Sequence, residues 1–280
     1  LYQGILSVKG STKVILQTYF GDVRDAYESI LALPFDGVGL DFLEGKETRA
    51  LVAKGFPKDK LLFAGLVNGK NIWRNHYEKT IEQVKDLEDK GISVVLGTSC
   101  SLLHVPYTLV GENKLSEEVK RHFSFAIEKL EELLDLKELL SGKAKPEVLE
   151  ANKALFATAR PNSEDKSVKD RCAAITDADY TRLPVFEERE KLQKEEFKLP
   201  LFPTTTIGSF PQSADVRANR TAFKKGEKTK EEYIAFNQKK IAEWVKIQED
   251  LDLDVLVHGE FERNDMVEYF GELLSGFLFT

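Results

Sequence analysis

The sequence predicts an α/β protein in which parallel, barrel-type strand–helix units flank a segment that is only helical. Three observations support this fold class. Short apolar runs alternate with helical patterns up to residue 104, a helical pattern alone fills residues 116–199, and strand–helix–strand alternation returns after residue 200. Strands that alternate with helices pair in parallel and are covered on both faces, which accounts for their apolar composition.

Four parallel strands are predicted in the N-terminal part, each a short apolar run that ends at glycine or polar residues. They are Lys13–Phe20, Asp36–Phe42, Leu61–Val67 and Ile92–Leu96. Asp22 follows the first run and is predicted to cap the next helix. A further helix over residues 75–90 meets Gly91, and glycine commonly follows the last residue of a helix.

The segment 116–199 is predicted to be a helical connector. Ser116 opens a helix that ends near Gly142 and has one apolar stripe, formed by Val119, Phe123, Ala126, Ile127, Leu130, Leu133 and Leu134. Two prolines suit first-turn positions of further helices, Pro146 and Pro184. Two more are predicted to mark helix ends, Pro161 and Pro200. The intervening charges are mixed in sign, which favours a solvated helix face over a binding surface.

Residues 200–280 are predicted to hold two strands joined by a helix. The run Leu201–Ile207 stops at Gly208-Ser209, and the run Leu251–Val257 stops at His258-Gly259-Glu260. The intervening helix is predicted to open on a capping box formed by Thr229 and Glu232. Both strands would present polar groups at their carboxyl ends, where parallel α/β folds keep their active sites.

Two long motifs in this region resemble one protein family. They are Leu-Phe-Pro-Thr-Thr-Thr-Ile-Gly-Ser-Phe-Pro-Gln at 201–212, and Leu-Asp-Val-Leu-Val-His-Gly-Glu at 253–260 followed by Glu-Arg-Asn-Asp-Met-Val-Glu-Tyr-Phe-Gly-Glu at 262–272. In this order they resemble the cobalamin-independent methionine synthases. Asn71-Ile-Trp-Arg74 and Ser99-Cys-Ser-Leu-Leu-His104 resemble the end of that family's N-terminal barrel.

The resemblance implies an internal portion of a protein with two (β/α)8 TIM-type barrels. Residues 1–115 would be the C-terminal half of the N-terminal barrel, 116–199 the interdomain connector, and 200–280 the first βα units of the C-terminal catalytic barrel. The strand count agrees, because an eight-stranded barrel takes about 250 residues. Four predicted strands precede the connector and two follow it.

The resemblance also implies a homocysteine site at Ile207, Gly208, Ser209 and Glu260. The chemistry of these residues agrees with that role. Glu260 offers an acceptor for an ammonium group, and the Ser209 hydroxyl and the N–H groups that open the following helix offer donors for a carboxylate. Gly208 permits close backbone approach. Without the resemblance, a Gly-Ser pair after a strand is most often an ordinary turn.

The implied reaction is transfer of a methyl group from 5-methyltetrahydropteroyltriglutamate to homocysteine, which forms methionine. The implied cofactor is zinc, whose ligands are expected beyond residue 280, so no catalytic residue and no metal ligand is assigned within this chain. Two alternatives remain. One is a non-catalytic fragment that retains part of the homocysteine site. The other is a different enzyme on a similar barrel, such as a decarboxylase, which the pairing of His-Gly-Glu with Ile-Gly-Ser disfavours.

Several residues that could bind a metal or a ligand are interpreted as structural instead. Cys100 and His104 stand at i and i+4, but zinc needs three or four ligands, so a packed cysteine and a hydrogen-bonded histidine are favoured. At most, Cys100 corresponds to the position of a metal ligand in the other barrel, and it would then lie in a duplicated barrel that has lost this function. His258 is interpreted as a structural, hydrogen-bonded residue, and Glu262, Arg263 and Asp265 as a charge cluster at a helix N-terminus.

Composition limits the partners and the compartment. The 280 residues carry 40 basic and 47 acidic side chains, a net charge of −7, which disfavours nucleic acid or an anionic membrane as the main partner. Two cysteines do not make a disulfide framework and suit a reducing compartment. No apolar run reaches transmembrane length. We expect a cytoplasmic monomer that acts on homocysteine and a folate.

Overall fold

The computed structural model describes residues 1–160 and 164–279. Up to Leu278 the chain divides into two compact units, Leu1–Glu164 and Asp165–Leu278. Pro161, predicted to mark a helix end, lies outside the described residues. No helix in the described ranges is both long and apolar enough to cross a membrane.

The first unit is built on a parallel sheet of four strands whose spatial order follows the chain. The strands are β1 (Ile15–Gln17), β2 (Gly37–Asp41), β3 (Leu61–Val67) and β4 (Ser93–Thr98). In register, Leu62 of β3 lies between Val38 of β2 and Val94 of β4. The prediction of four parallel strands is confirmed, although β1 is shorter than the predicted run. The unit is therefore a mixed α/β structure.

Helices connect and cover these strands. They are α1 (Tyr2–Ser7), α2 (Tyr27–Leu31), α3 (Thr48–Lys54), α4 (Tyr77–Asp89), α5 (Glu117–Lys120), α6 (Ala126–Leu140) and α7 (Pro146–Phe156). The core is formed by alternate residues of β2 and β3 packed with apolar residues of the helices, because side chains of a strand alternate between its faces. It includes Val38, Leu40, Leu62, Ala64, Leu66, Val84 and Leu87.

Gly91 and Pro146 mark helix boundaries as predicted, whereas Asp22 does not. Gly91 has φ of 78° and donates its N–H to the Glu88 carbonyl at 2.8 Å, so it ends α4 as predicted. Pro146 is the first residue of α7, also as predicted. Asp22 does not cap α2, because its carboxylate pairs with Arg24 at 2.6 Å and accepts the Glu47 N–H at 3.2 Å.

The predicted helix from Ser116 to Gly142 is interrupted. Ser116 does cap α5 by accepting the Val119 N–H at 3.4 Å. The chain then leaves the helix because its backbone pairs with another loop: the Arg74 N–H donates to the His122 carbonyl at 3.0 Å, and the Ser124 N–H donates to the Ile72 carbonyl at 2.7 Å. The helix resumes as α6.

The buried face of α6 follows the predicted apolar stripe only in part, since Leu133 packs against a buried cluster while other leucines of the stripe are exposed. Leu130 and Leu134 are 48% and 60% exposed, whereas Lys129 and Glu132 are fully buried. The buried charges satisfy the loop before α4, because Lys129 Nζ donates to the Trp73 carbonyl at 3.1 Å and Glu132 Oε1 accepts the Asn75 N–H at 2.9 Å. Buried polar side chains need hydrogen-bond partners, and the backbone of this loop supplies them, so Lys129 and Glu132 can be buried where the apolar pattern places leucines.

The second unit consists mainly of helices. They are α8 (Lys166–Ala173), α9 (Phe186–Phe197), α10 (Ala214–Lys224), α11 (Lys230–Asp250) and α12 (Met266–Leu273). The capping box that opens α11 is confirmed: the Glu232 N–H donates to Thr229 Oγ1 at 3.2 Å, and the Thr229 N–H donates to Glu232 Oε2 at 2.8 Å. Pro184 precedes the N-cap residue of α9, Val185, so it lies just outside the first turn. Pro200 follows the end of α9, as predicted.

The two strands predicted in this unit do not form as regular strands. Leu201–Ile207 and Leu251–Val257 run in the same direction and share isolated hydrogen bonds, such as the Val255 N–H to the Thr204 carbonyl at 3.0 Å. Ile207 is 76% exposed. A buried parallel strand needs hydrogen-bonding neighbours and helices over both faces. Within the described residues no further strand flanks these segments, and Val257 instead exchanges hydrogen bonds with the Gln248 side chain of α11 at 2.8 and 2.9 Å. The prediction of strands is therefore wrong, while that of their parallel juxtaposition holds.

Candidate functional site

The structure brings together the two motifs that carry the predicted site residues. Ser209 and Gly259 form a parallel bridge, and the Phe210 N–H donates to the Gly259 carbonyl at 3.2 Å. Residues 207–209 and Glu260 therefore lie side by side, although about fifty residues separate them in the chain. We refer to Ile207–Ser209 as the Gly-Ser segment and to Glu260–Arg263 as the Glu260 turn.

The carboxylate of Glu260 faces the backbone of Gly208. A Cβ atom placed on Gly208 would lie 2.8 Å from Glu260 Oε1, closer than such atoms approach. Glu260 itself has φ of 56°, and Gly259 before it has φ of 89°. A left-handed conformation is costly for a residue with a side chain and persists only where its surroundings impose it. The turn thus folds the carboxylate back against the Gly-Ser segment.

Arg263 is the charged partner of Glu260. Its Nη2 lies 2.9 Å from Glu260 Oε1, and both side chains are mostly buried. Its backbone N–H also donates to the Glu260 carbonyl at 3.1 Å, which closes the turn. The ion pair and the turn therefore hold the Glu260 carboxylate in place, in addition to the preference of its own rotamer.

Ile207 and Ser209 lie on the exposed side of the site. The predicted anion donors at the start of the next helix are partly engaged within the protein. Asp215 accepts the Val216 N–H at 2.9 Å and pairs with Lys240 at 2.8 Å. The hydrogen bond from Lys240 and that from Ser213 lower the pKa of Asp215 to about 2. The Ser209 hydroxyl is therefore the better candidate donor.

His258 and Glu262 form a second polar pair beside the turn. His258 Nε2 lies 3.1 Å from Glu262 Oε1. Burial raises the pKa of Glu262, but the hydrogen bond from His258 and nearby positive charge outweigh it, so the pKa is lowered. Asp265 caps α12 by accepting the Glu268 N–H at 2.9 Å. These contacts agree with the structural roles predicted for His258 and Asp265. Glu262 and Arg263 do not belong to the predicted helix N-terminal cluster, because they pair with His258 and Glu260.

The other candidate metal ligands are not assembled. Among the residues that the structure describes, no group of three or more His, Cys, Asp or Glu side chains could hold a metal ion. Cys100 is buried, and burial raises the pKa of its thiol. His104 packs edge-on against Phe20 with ring centroids 5.0 Å apart. The packed interpretation of Cys100 fits its burial, whereas the contact seen for the His104 side chain among the described residues is this ring contact and not the predicted hydrogen bond.

Sequence reasoning missed Arg220, which lies on α10 and reaches the Glu260 turn. Its Nη2 donates to the carbonyls of Phe261 and Arg263, each at 3.0 Å, and to Gln212 Oε1 at 2.6 Å. A cavity of about 490 Å³ adjoins it. The cavity is also lined by Tyr233, Asn237, His258, Glu262 and Tyr269. A single arginine among the charges of a helix gives no sequence signal for such a role.

Two family models match this chain, one at each end. Residues 1–91 match the N-terminal domain of the cobalamin-independent synthases, and residues 202–280 match their catalytic domain. The chain thus carries sequence of both domains of the cobalamin-independent synthase family, which confirms the resemblance seen in its motifs.

Curated relatives share one name. The chain is 56% identical over all its 280 residues to the 5-methyltetrahydropteroyltriglutamate–homocysteine methyltransferases of Streptococcus suis, Streptococcus pneumoniae and Campylobacter jejuni. In each case the alignment covers 100% of this chain and 37% of the relative. The chain therefore spans little more than a third of these relatives, and the proteins that it is similar to are named as methyltransferases.

Proposed function

We propose that this chain is the central portion of a cobalamin-independent methionine synthase, which transfers a methyl group from 5-methyltetrahydropteroyltriglutamate to homocysteine. The proposal is supported by the uninterrupted similarity to relatives that carry the names of both substrates. The relatives are named as methyltransferases, which also disfavours the alternative of a decarboxylase on a similar barrel. We further propose a monomeric cytoplasmic enzyme, on the basis of its charge and cysteine content.

The proposed architecture is two (β/α)8 barrels, of which this chain holds parts. Residues 1–115 would complete the N-terminal barrel, 116–199 would connect the barrels, and 200–280 would begin the catalytic barrel. Four consecutive parallel strands with intervening helices support the first assignment. The region between the two family matches contains α5 to α9, which supports a helical connector. The boundary between the compact units, after Glu164, falls within that connector.

The proposed role of the Gly-Ser segment and of Glu260 is to hold the amino-acid end of homocysteine. The observation that carries this proposal is the approach of the Glu260 carboxylate to Gly208, at a position that any side chain would fill. An ammonium group there would donate a charge-assisted hydrogen bond to Glu260. The Ser209 hydroxyl, which lies on the exposed side, would donate to the substrate carboxylate.

Zinc would supply the activation of the homocysteine thiol, because a bound metal ion lowers the pKa of a coordinated thiol. The described residues do not fit a zinc site, since no three suitable side chains meet. We propose that the ligands lie beyond residue 280 in the intact protein. The contribution of this chain is to position the substrate, which accelerates a reaction by proximity.

The first test is homocysteine binding by the intact protein, measured by calorimetry on the wild type and on E260Q. The amide keeps the shape of the side chain but removes its charge, so we expect binding to weaken on the order of tenfold or more. Zinc content should stay unchanged. A matched control is E249Q, which alters an exposed glutamate near the end of α11. Loss of zinc in E260Q would contradict the proposed role.

Activity separates the full enzyme from the alternative of a non-catalytic fragment. The intact protein should transfer the methyl group and contain zinc. A protein that binds homocysteine but shows neither turnover nor zinc would support the non-catalytic alternative, in which only part of the homocysteine site is retained.

A further inference from the structure

We propose that Arg220 is a positioning residue that fixes the Glu260 turn against the Gly-Ser segment, so that Glu260 is presented to the amino group of the substrate. The inference rests on the proposed homocysteine site. It concerns a residue that lies outside both motifs that define that site.

The contacts of Arg220 join three parts of the second unit. The residue belongs to α10, its Nη2 donates to the Phe261 and Arg263 carbonyls at 3.0 Å each, and the same atom donates to Gln212 Oε1 at 2.6 Å. Gln212 follows the Gly-Ser segment by three residues. One guanidinium group therefore links the end of the first motif to the backbone of the second.

The turn needs such an anchor because of its backbone conformation. Glu260 adopts a left-handed φ of 56°, a conformation that a residue with a side chain rarely keeps without support. Phe261 anchors the turn on one side, since its ring is buried with 1% exposure. Arg220 anchors the other side of the turn by donating hydrogen bonds to two of its backbone carbonyls, which would otherwise have to be paired with water.

An arginine suits this position better than a lysine would. Guanidinium is planar and carries five N–H donors in a rigid fork, whereas an ammonium group is a compact point charge. Two carbonyls and an amide oxygen from different segments all converge on Nη2, which has two N–H groups, and Nη1 lies 3.5 Å from Asn264 Oδ1. A lysine side chain is one atom shorter and ends in a single nitrogen, so it would fall short of the Nη2 position and could not also reach Asn264.

The rival interpretation is that Arg220 binds the substrate directly. Its Nε is buried and has no hydrogen-bond partner within the described part of the chain, and the residue lines the cavity of about 490 Å³. The two interpretations differ in what happens to the turn. A positioning residue changes the turn when removed, even without ligand, while a ligand contact changes only binding.

The experiment compares R220A and R220K with R217A in the intact protein. Arg217 is a matched control, because it is an exposed arginine of the same helix that donates to the Gln212 carbonyl at 2.7 Å and not to the turn. Hydrogen exchange of the amides of residues 258–265 is measured without ligand, and homocysteine affinity is measured by calorimetry. Guanidinium ion is then added to R220A at millimolar concentration.

We expect R220A to speed exchange in residues 258–265 and to weaken homocysteine binding on the order of tenfold or more. Guanidinium ion should restore part of both properties, and R220K should remain impaired. R217A should match the wild type in both measurements. Partial rescue by a small ion would not occur if R220A had simply failed to fold.

Three results would overturn the inference. They are wild-type exchange of the turn in R220A, weakened binding without faster exchange, and full restoration by lysine. Absence of homocysteine binding by the wild type would refute the proposed function instead. Because exchange is measured without ligand, the anchoring of the turn by Arg220 is tested in either case.

Discussion

A methyl group added at Gly208 would meet the carboxylate of Glu260. The new Cβ atom would lie 2.8 Å from Oε1 and 3.6 Å from Cδ of that side chain. Ordinary contacts between such atoms begin near 3.4 Å, so the oxygen must retreat by about half an ångström. Oε1 is the end of a flexible side chain, but Arg263 holds it at 2.9 Å, so movement costs part of that ion pair.

The expected result of G208A is a loss of binding with little loss of stability. The displaced atom is a side-chain end and not the backbone, so we expect the free energy of unfolding to change by about 1 kcal/mol or less. Homocysteine binding should weaken by about tenfold, because the shift misaligns a charge-assisted hydrogen bond worth about 1.5 kcal/mol or more. Calorimetry and thermal unfolding of the intact protein measure the two quantities.

A control and a double variant sharpen this test. G4A adds a methyl group to exposed helix α1, where nothing lies within 4 Å, and it should leave homocysteine binding unchanged. In an E260Q background, G208A should have a smaller effect than in the wild type, because contacting residues are not additive. Wild-type affinity in G208A, or equal effects of G208A in both backgrounds, would refute the geometric argument.

Three further predictions concern stability. Hydrogen bonds from Lys9 and the Val14 backbone lower the pKa of Asp36, so its stabilising contribution is present above the unfolded value of 3.8 and lost as pH falls below it. Thermal unfolding of D36N should therefore depend less on pH than that of the wild type between about pH 5 and pH 2. E132A should destabilise the first unit by about 3 kcal/mol in urea unfolding, because the Asn75 N–H loses its buried acceptor; a change within about 0.5 kcal/mol would contradict the role of that bond. T229A should lower stability by about 1 kcal/mol through loss of the α11 cap, and T229S should retain most of it.

Elements defined by local chemistry could be predicted from the sequence. β3 occupies the predicted residues, Leu61–Val67, because a buried strand is an apolar run that ends at a polar turn. Gly91 ends α4 and Thr229 opens α11, because caps depend on residues within a few positions. The four parallel strands followed from their alternation with helices.

Elements defined by distant partners could not be predicted. Lys129 and Glu132 are buried although they look like solvated charges, since their partners belong to a loop more than fifty residues earlier. The helix break at residues 121–125 has the same cause, because that backbone pairs with residues 72–74. The sequence pattern of α6 alone does not indicate that the loop at residues 72–75 is its partner.

The same distinction between local sequence and distant partners applies to the candidate site. The sequence by itself determined the two motifs and the family that they resemble, and it predicted Ile207, Gly208, Ser209 and Glu260 as site residues, because a motif is defined by residue identity and order. Only the tertiary structure placed the Glu260 carboxylate against Gly208 and Arg220 behind the turn. The physical reason is that hydrogen bonds and steric contacts depend on distance in space, and a chain that folds back brings together groups whose separation along the sequence says nothing about that distance.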